Sequence, residues 1–443
     1  MKRIKVIFKQ HRQDNFILNQ GKDVLTIYTS DRGLSDTLVT TNVFEILKKR
    51  AITPSEETYD LLHFAIGLYV IDQVYSRKAF GFQGWSRYFE IYVPVAKPEL
   101  WQEIKEELEN TLSFLSGDRW ILHFRELIKE EKQLKIPEEK QASKIDKVAL
   151  FSGGMDSFIG AIDYLEQGNR MAFVSHHKRG SEGTAQQTLF GALRKKYGDE
   201  AFETFRFWVQ PVKKNAPSAD ISSRMRSFLF VALGLTIANS LDEKIDFIIP
   251  ENGLISLNVP LTGTRLSSHS TRTTHPYYIY ELQSIFGHLG IKNNLYNPYQ
   301  TATKGEMALN SKNLELLREL NKDTLSCSHP DQNRWRKGGK SGVHCGYCVP
   351  CIIRQAAEKK ASLKGTVYVH NIISNPTSLK SQSGEDLRAF QLALERIKSI
   401  SEKSLTFEIM NSGPLSFPGK YELSDYVGIY KRGMEEVADF LYP

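Results

Sequence analysis

The sequence predicts a doubly wound parallel α/β sheet that carries a metal-binding loop and follows an N-terminal α+β unit. Three observations lead there. From residue 147 onward, short apolar runs alternate with helix-length stretches. A glycine-rich turn joins the first of those runs to the first of those helices, and all four cysteines fall between positions 327 and 351. Strands that alternate with helices pair in parallel through right-handed crossovers, so their order along the chain names the class.

Composition sets the outer limits. A chain of 443 residues predicts two or three domains. Its hydrophobic fraction of 41% and charged fraction of 25% are those of an ordinary globular protein. No run approaches the roughly 20 apolar residues that cross a bilayer, and Met1 to Gln10 lacks the apolar core of a secretory signal. A cytoplasmic protein without membrane contact is therefore expected. The formal charge of +7 is spread along the chain. Solubility accounts for it; a phosphate-rich ligand or a nucleic acid is the alternative, the latter not favoured.

Residues 1–140 read as the α+β unit. Leu61 to Tyr75 is an amphipathic or buried helix, Tyr88 to Val95 alternates like a strand, Pro98 to Leu115 has helical spacing, and Trp120 to Phe124 is a short strand. No catalytic motif stands out. Glu130 to Lys147 is rich in Lys and Glu and interrupted by Pro137, which predicts a linker or an exposed helix end.

The second unit, 147–365, opens with the apolar run Val148 to Phe151, a glycine turn, and the helical pattern Phe158, Ile159, Ile162, Leu165 closed by Gly168. Strands follow at Met171 to Ser175, Phe205 to Val212 and Phe247 to Pro250, separated by helices over Gln186 to Tyr197 and Arg224 to Ser240. The remainder, 366–443, is a helical extension with patterns near 385–399 and 423–441, after a strand-like TVYVH.

The turn reads Ser152, Gly153, Gly154, Met155, Asp156, Ser157. In an open α/β sheet, ligands bind beyond the carboxyl ends of strands. Glycines let backbone amides approach an anion, and the following helix points free N–H groups at it. Ser152 and Ser157 add hydroxyl donors. A carboxylate beside phosphate repels it unless a cation intervenes, so Asp156 is assigned a magnesium or charge-positioning role. A bare helix cap is the structural alternative. Gly339-Lys340-Ser341 imitates the end of a Walker A loop, but Arg334 stands where glycine is needed and no buried strand precedes it.

Cys345, Cys348 and Cys351 form CGYCVPC, and Cys327 precedes them. Two-residue gaps let thiolates converge on one ion while a distant fourth closes the tetrahedron, which suits structural Zn²⁺. Free buried thiols or a redox pair are the alternatives. His329 and His344 are then superfluous as ligands. Arg334, Arg336, Lys337 and Lys340 make the intervening loop basic: a solvated surface, or a docking face. The polar stretch Leu257 to Pro276 predicts a recognition loop with Arg265, Arg272 and His275 as its contacts. Thr303 and Glu306 have capping-box spacing.

The SGGMDS turn resembles the PP-loop of the ATP pyrophosphatases, which split ATP into AMP and pyrophosphate. The cysteine pattern resembles the zinc site of QueC-like (7-cyano-7-deazaguanine synthase-like) enzymes. Asn297-Pro298-Tyr299 with Thr303-Lys304-Gly305-Glu306 resembles their P…TKxE segment. The resemblance covers roughly 147–362. The long N-terminal unit and the ENG…STRTTHP segment depart from it and resemble the QueC-like proteins of bacterial antiphage operons, the QatC type of the Qat system. The resemblance implies a HUP-type (adenine nucleotide alpha hydrolase-like) fold, ATP with Mg²⁺ and Zn²⁺, and a deazaguanine-type acid as substrate. It implies adenylation of that acid and its transfer to ammonia or to a partner protein from the same operon (QatB-like). Ser152, Asp156, Ser157 and Arg224 are then catalytic, and Ser152 to Ser157, Arg226 and Lys304 hold the nucleotide. A tRNA-modifying PP-loop enzyme and a non-catalytic nucleotide-binding scaffold are the rival readings.

Overall fold

The structure, a computed structural model, describes residues 2–18, 24–30, 38–128, 144–177, 180–212, 214, 216–218, 220, 224–262, 272–335, 339, 341–374 and 384–442. Most of the expected linker, together with Arg265, Arg336, Lys337 and Lys340, lies outside the described residues.

The N-terminal unit holds β1 (Arg3–Lys9), β2 (Val24–Tyr28), β3 (Val39–Thr41), β4 (Tyr88–Val95) and β5 (Arg119–Glu126). Four of them form a sheet in the order β2-β1-β4-β5, with every pair parallel. The unit is thus α/β in character, not the segregated α+β arrangement expected. The first strand is what the sequence hid. RIKVIFK carries basic residues on one face, yet Val6 and Phe8 are fully buried on the other.

Helix Glu56–Val74 is buried on all sides from Asp60 to Val74. It lies between its own sheet and helix Arg226–Leu241 of the second unit. A helix covered on two faces needs no solvent-facing polar stripe, and the polar side chains it does carry, Asp60, His63, Asp72 and Gln73, are buried with the rest. One hydrophobic core runs from Val6 and Phe8 through Phe64 to Phe228, Phe247 and Phe286. The division read near residue 140 is therefore not a division of the core.

Charge is buried at the same junction. Arg87, fully buried, spans Asp72 (2.6 Å) and Asp118 (2.7 Å), and Arg77 adds a second contact to Asp118 (2.6 Å). Met225 N donates to Asp72 Oδ2 at 3.2 Å, tying this network to the first turn of helix Arg226–Leu241.

The second unit adds β6 (Lys147–Leu150), β7 (Met171–His176), β8 (Phe202–Phe207), β9 (Val209–Pro211), β10 (Asp246–Ile248) and β11 (Leu295–Tyr296). Five of these make a parallel sheet in the order β11-β10-β6-β7-β8. The chain winds outward from β6 through β7 to β8, then returns to the other side of β6. That reversal is the switch point of a doubly wound sheet. Side chains alternate between two cores, with Val148, Leu150 and Phe247 facing helix Arg226–Leu241 and Ala149, Phe151 and Ile248 facing helix Met155–Glu166. Both faces are covered, as a parallel sheet requires.

The third expected strand, Phe205 to Val212, is in fact two. Beyond β8 the chain leaves the sheet, and β9 pairs antiparallel with β3, stitching the two units together. TVYVH forms no strand; only an isolated bridge joins His344 to Tyr368. Helices Glu385–Ser399, Glu402–Met410 and Leu423–Leu441 form a third core with Leu254, Leu257, Ile352 and Ile353. From the last helix, Glu436 accepts from Gly305 N (3.2 Å) and Lys360 Nζ (2.7 Å), and Arg432 pairs with Glu306 (2.7 Å). The C-terminal extension thus braces the short helix Lys304–Leu309.

Candidate functional site

The glycine turn sits at the carboxyl end of β6, at the switch point. Gly153 has φ +86°, and a side chain there would also press on Gln186 Cγ at 3.1 Å, so glycine is required twice over. Helix Met155–Glu166 starts at once, with Gly154 as its cap. The hydroxyls of Ser152 and Ser157 lie 3.1 Å apart. Gly154 N donates to Ser152 Oγ (3.2 Å), Ser157 Oγ donates to Gly154 O (3.0 Å), and Gln186 Nε2 donates to Ser152 O (3.1 Å). A cavity of about 300 Å³ opens here. Ser152, Ser157, Glu182, Arg226 and Glu251 give it a polar wall; Leu150, Phe230, Val231, Ile249 and Pro250 give it an apolar one.

Asp156 does not face that cavity. Its carboxylate is buried against Lys304 Nζ and accepts from Asn252 N (3.2 Å) and Asn252 Nδ2 (2.7 Å). Burial alone would raise its pKa, but Lys304, then Glu251 and Asn252, outweigh burial and hold it down at about 2. Glu251 moves the opposite way. Burial and the negative charge of Asp156 push it well above 4.5, so the two carboxyls are driven apart in acidity. Both Asp156 oxygens are committed to donors, which leaves this residue bracing the turn and not facing a cation in the cleft. Lys304 is likewise spent on Asp156, not extended toward the cavity.

The two arginines at the start of helix Arg226–Leu241 part company. Arg226 lines the cavity, held by Glu182 (2.6 and 3.1 Å) and by His176 Nδ1 (3.2 Å) and its carbonyl (3.1 Å). Arg224 turns away into the N-terminal unit, where it donates to Ser116 O (2.5 Å) and covers the Trp85 ring at 4.8 Å. Burial lowers its pKa to about 10. The catalytic role expected of Arg224 thus meets a residue outside the cleft, because the N-terminal unit supplies its partners.

Two of the expected recognition residues are also structural. His275 caps helix Pro276–His288 by accepting from Tyr277 N (3.2 Å), and burial lowers its pKa to about 3. Arg272 donates to Phe114 O (3.0 Å) above the Phe114 ring. Their neighbours Thr273 and Thr274 line the cavity instead. The capping box at Thr303 and Glu306 is present as the spacing predicts.

The four thiols of Cys327, Cys345, Cys348 and Cys351 converge, with all Sγ atoms within 4.8 Å of one another. Cys327 and Cys348 are separated by 4.0 Å, and Cys345 and Cys351 by 3.8 Å. Four sulfurs at about 2.3 Å from one ion would stand about 3.8 Å apart, so the cluster fits tetrahedral Zn²⁺. Backbone amides support the sulfurs: His329 N and Cys345 N donate to Cys327 Sγ, both at 3.3 Å, and Cys348 N to Cys345 Sγ at 3.4 Å. His344 stays outside the ligand set, accepting from Ser326 N (3.2 Å).

Among the residues at this site that carried no assignment from sequence are Gln186, Glu251 and Ser326. Glu251 had a signal, since it ends a strand at the functional edge of the sheet. Gln186 lies within a helix and Ser326 within a loop, where nothing local marks them. No protein-family model matches this chain, and no curated protein matches it either.

Proposed function

We propose that this protein is a QueC-like, AMP-forming enzyme that adenylates a carboxylic acid and passes the acyl group to an amine. One observation carries the reading: the SGGMDS turn stands at the switch point of a doubly wound sheet and opens onto a cavity large enough for a small ligand. A turn packed solid against protein would have left no place for phosphate.

The chemistry follows from the leaving group. A carboxylate is a poor electrophile. Attack of its oxygen on the α-phosphorus of ATP expels pyrophosphate and gives an acyl adenylate. An amine then attacks the acyl carbon, AMP leaves, and the amine gives up a proton. In this scheme Ser152 and Ser157 hold the departing pyrophosphate with the N–H groups at the helix start. Arg226 stands over the cleft, and the apolar wall takes a flat heterocycle. The raised pKa of Glu251 favours its neutral form beside the phosphates, lessening repulsion. Mg²⁺ bound with the nucleotide would offset the charge of its phosphates.

In the defence branch the amine would belong to a partner protein (QatB-like) and the acid would be a deazaguanine-type carboxylate. The experiment is to incubate the chain with ATP, Mg²⁺, the deazaguanine acid and candidate partners, measuring AMP, pyrophosphate and partner mass. AMP formation by the parent that is lost in Ser152→Ala/Ser157→Ala supports the reading. Undiminished AMP release by that variant would sink it.

A further inference from the structure

The loop that brings Cys327 to the metal cluster also crosses the glycine turn. Leu325 N donates to Gly153 O at 2.8 Å, and Met155 N donates to Ser326 Oγ at 3.0 Å. Ser326 is fixed from behind, because its own N–H donates to His344 Nε2 at 3.2 Å and the next residue is the ligand Cys327. A side chain on Gly154 would meet Ser326 Oγ at 3.1 Å and Ser152 Oγ at 3.3 Å, so the two hydroxyls flank one backbone position. Leu325 and Cys327, on either side of Ser326, both line the cavity.

Met155 N–H is the first amide of the helix and one of those that an anion at this turn would seek. Ser326 already takes it. A hydroxyl that accepts from an amide still has its own hydrogen to donate, and accepting polarises that O–H outward. We propose that Ser326, supplied by the metal-binding loop, is a further ligand of the phosphate group at the glycine turn: it takes the Met155 N–H and donates its own hydrogen bond to a phosphate oxygen. The proposal rests on the glycine turn being a phosphate site. It adds a third hydroxyl to Ser152 and Ser157, contributed from more than 150 residues along the chain. The metal site then has a task beyond holding its loop, since it sets where that hydroxyl stands.

The test is calorimetric titration of the zinc-loaded full chain with inorganic pyrophosphate in Mg²⁺. The parent is compared with Ser326→Ala, Ser326→Thr and Ser152→Ala, with zinc content and unliganded thermal midpoint recorded for each. Loss of one hydrogen bond to a charged group predicts about ten-fold weaker binding for Ser326→Ala, with metal and midpoint unchanged. Ser326→Thr, which keeps the hydroxyl, should bind within about three-fold of the parent. Parent-like binding by Ser326→Ala beside weakened Ser152→Ala overturns the assignment. So does loss of zinc together with binding, which would make Ser326 a brace only. If the parent itself does not bind pyrophosphate, the phosphate site falls, and this assignment with it.

Discussion

Replacing Lys304 by Met tests the electrostatics of the site most directly. Lys304 and Asp156 are both buried, and the ion pair is the main force that holds Asp156 ionised against burial. Asp156 ionises at about 2, against 3.8 for an unperturbed side chain, which corresponds to about 2–3 kcal/mol of folding stability. Removing one partner of a buried pair costs about 3–5 kcal/mol, because the other charge stays behind. For a chain of 443 residues that amounts to a fall of about 3–5 °C in thermal midpoint. The pH dependence is the sharper signature. In the parent, the depressed pKa contributes stability that is present above about pH 4 and lost as pH falls toward 2. In Lys304→Met the largest force opposing burial is gone, so burial raises Asp156 and the variant gains stability as pH falls and the carboxyl takes up a proton. The midpoint difference, followed by tryptophan fluorescence on heating, should be widest at pH 8 and narrow steadily to pH 5. A difference that does not change over that range, or stays below about 0.5 °C throughout, refutes the argument.

Three other substitutions probe separate parts of the structure. Glu251→Gln removes a carboxyl whose pKa is raised in the folded state; the parent should lose stability as pH rises above about 4.5 through that raised value, and the variant should not. Thermal midpoints that fall in parallel for both proteins from pH 5 to 8 would contradict this. Arg224→Ala should lower stability by about 1–3 kcal/mol through its lost bond to Ser116 O, yet leave pyrophosphate affinity within about two-fold. A ten-fold loss of affinity would return Arg224 to the cleft. Cys348→Ser should release about one equivalent of zinc and loosen the loop against the glycine turn; metal analysis showing full zinc occupancy would exclude the four-sulfur site.

Local features were legible before the structure. Gly153 and Gly154 between a buried run and a helix predict the turn, and it is there with the required positive φ. The spacing of the cysteines predicts convergence, and the sulfurs converge. Thr303 and Glu306 predict a capping box and form one. Short or basic strands were the main failures. In β1 basic residues mask the alternation, and β3 and β11 have only two or three residues each, too few for a period to emerge.

Which side chain meets which was a different kind of question. Arg224 and Arg226 differ by two positions, yet Arg224 lies in the turn before the helix, where Ser116 and the Trp85 ring claim it, while Arg226 opens the helix and lines the cleft. Asp156 reads as a cleft residue until Asn252 and Lys304, 96 and 148 positions away, claim its oxygens. The sequence determined the turn, the metal ligands and the alternation that makes a parallel sheet, because each depends on geometry within a few residues. Charge partners, the opposite pKa shifts of Asp156 and Glu251, and the reach of Ser326 into the turn depend on segments brought together only by the packed core, and the tertiary structure alone decided them.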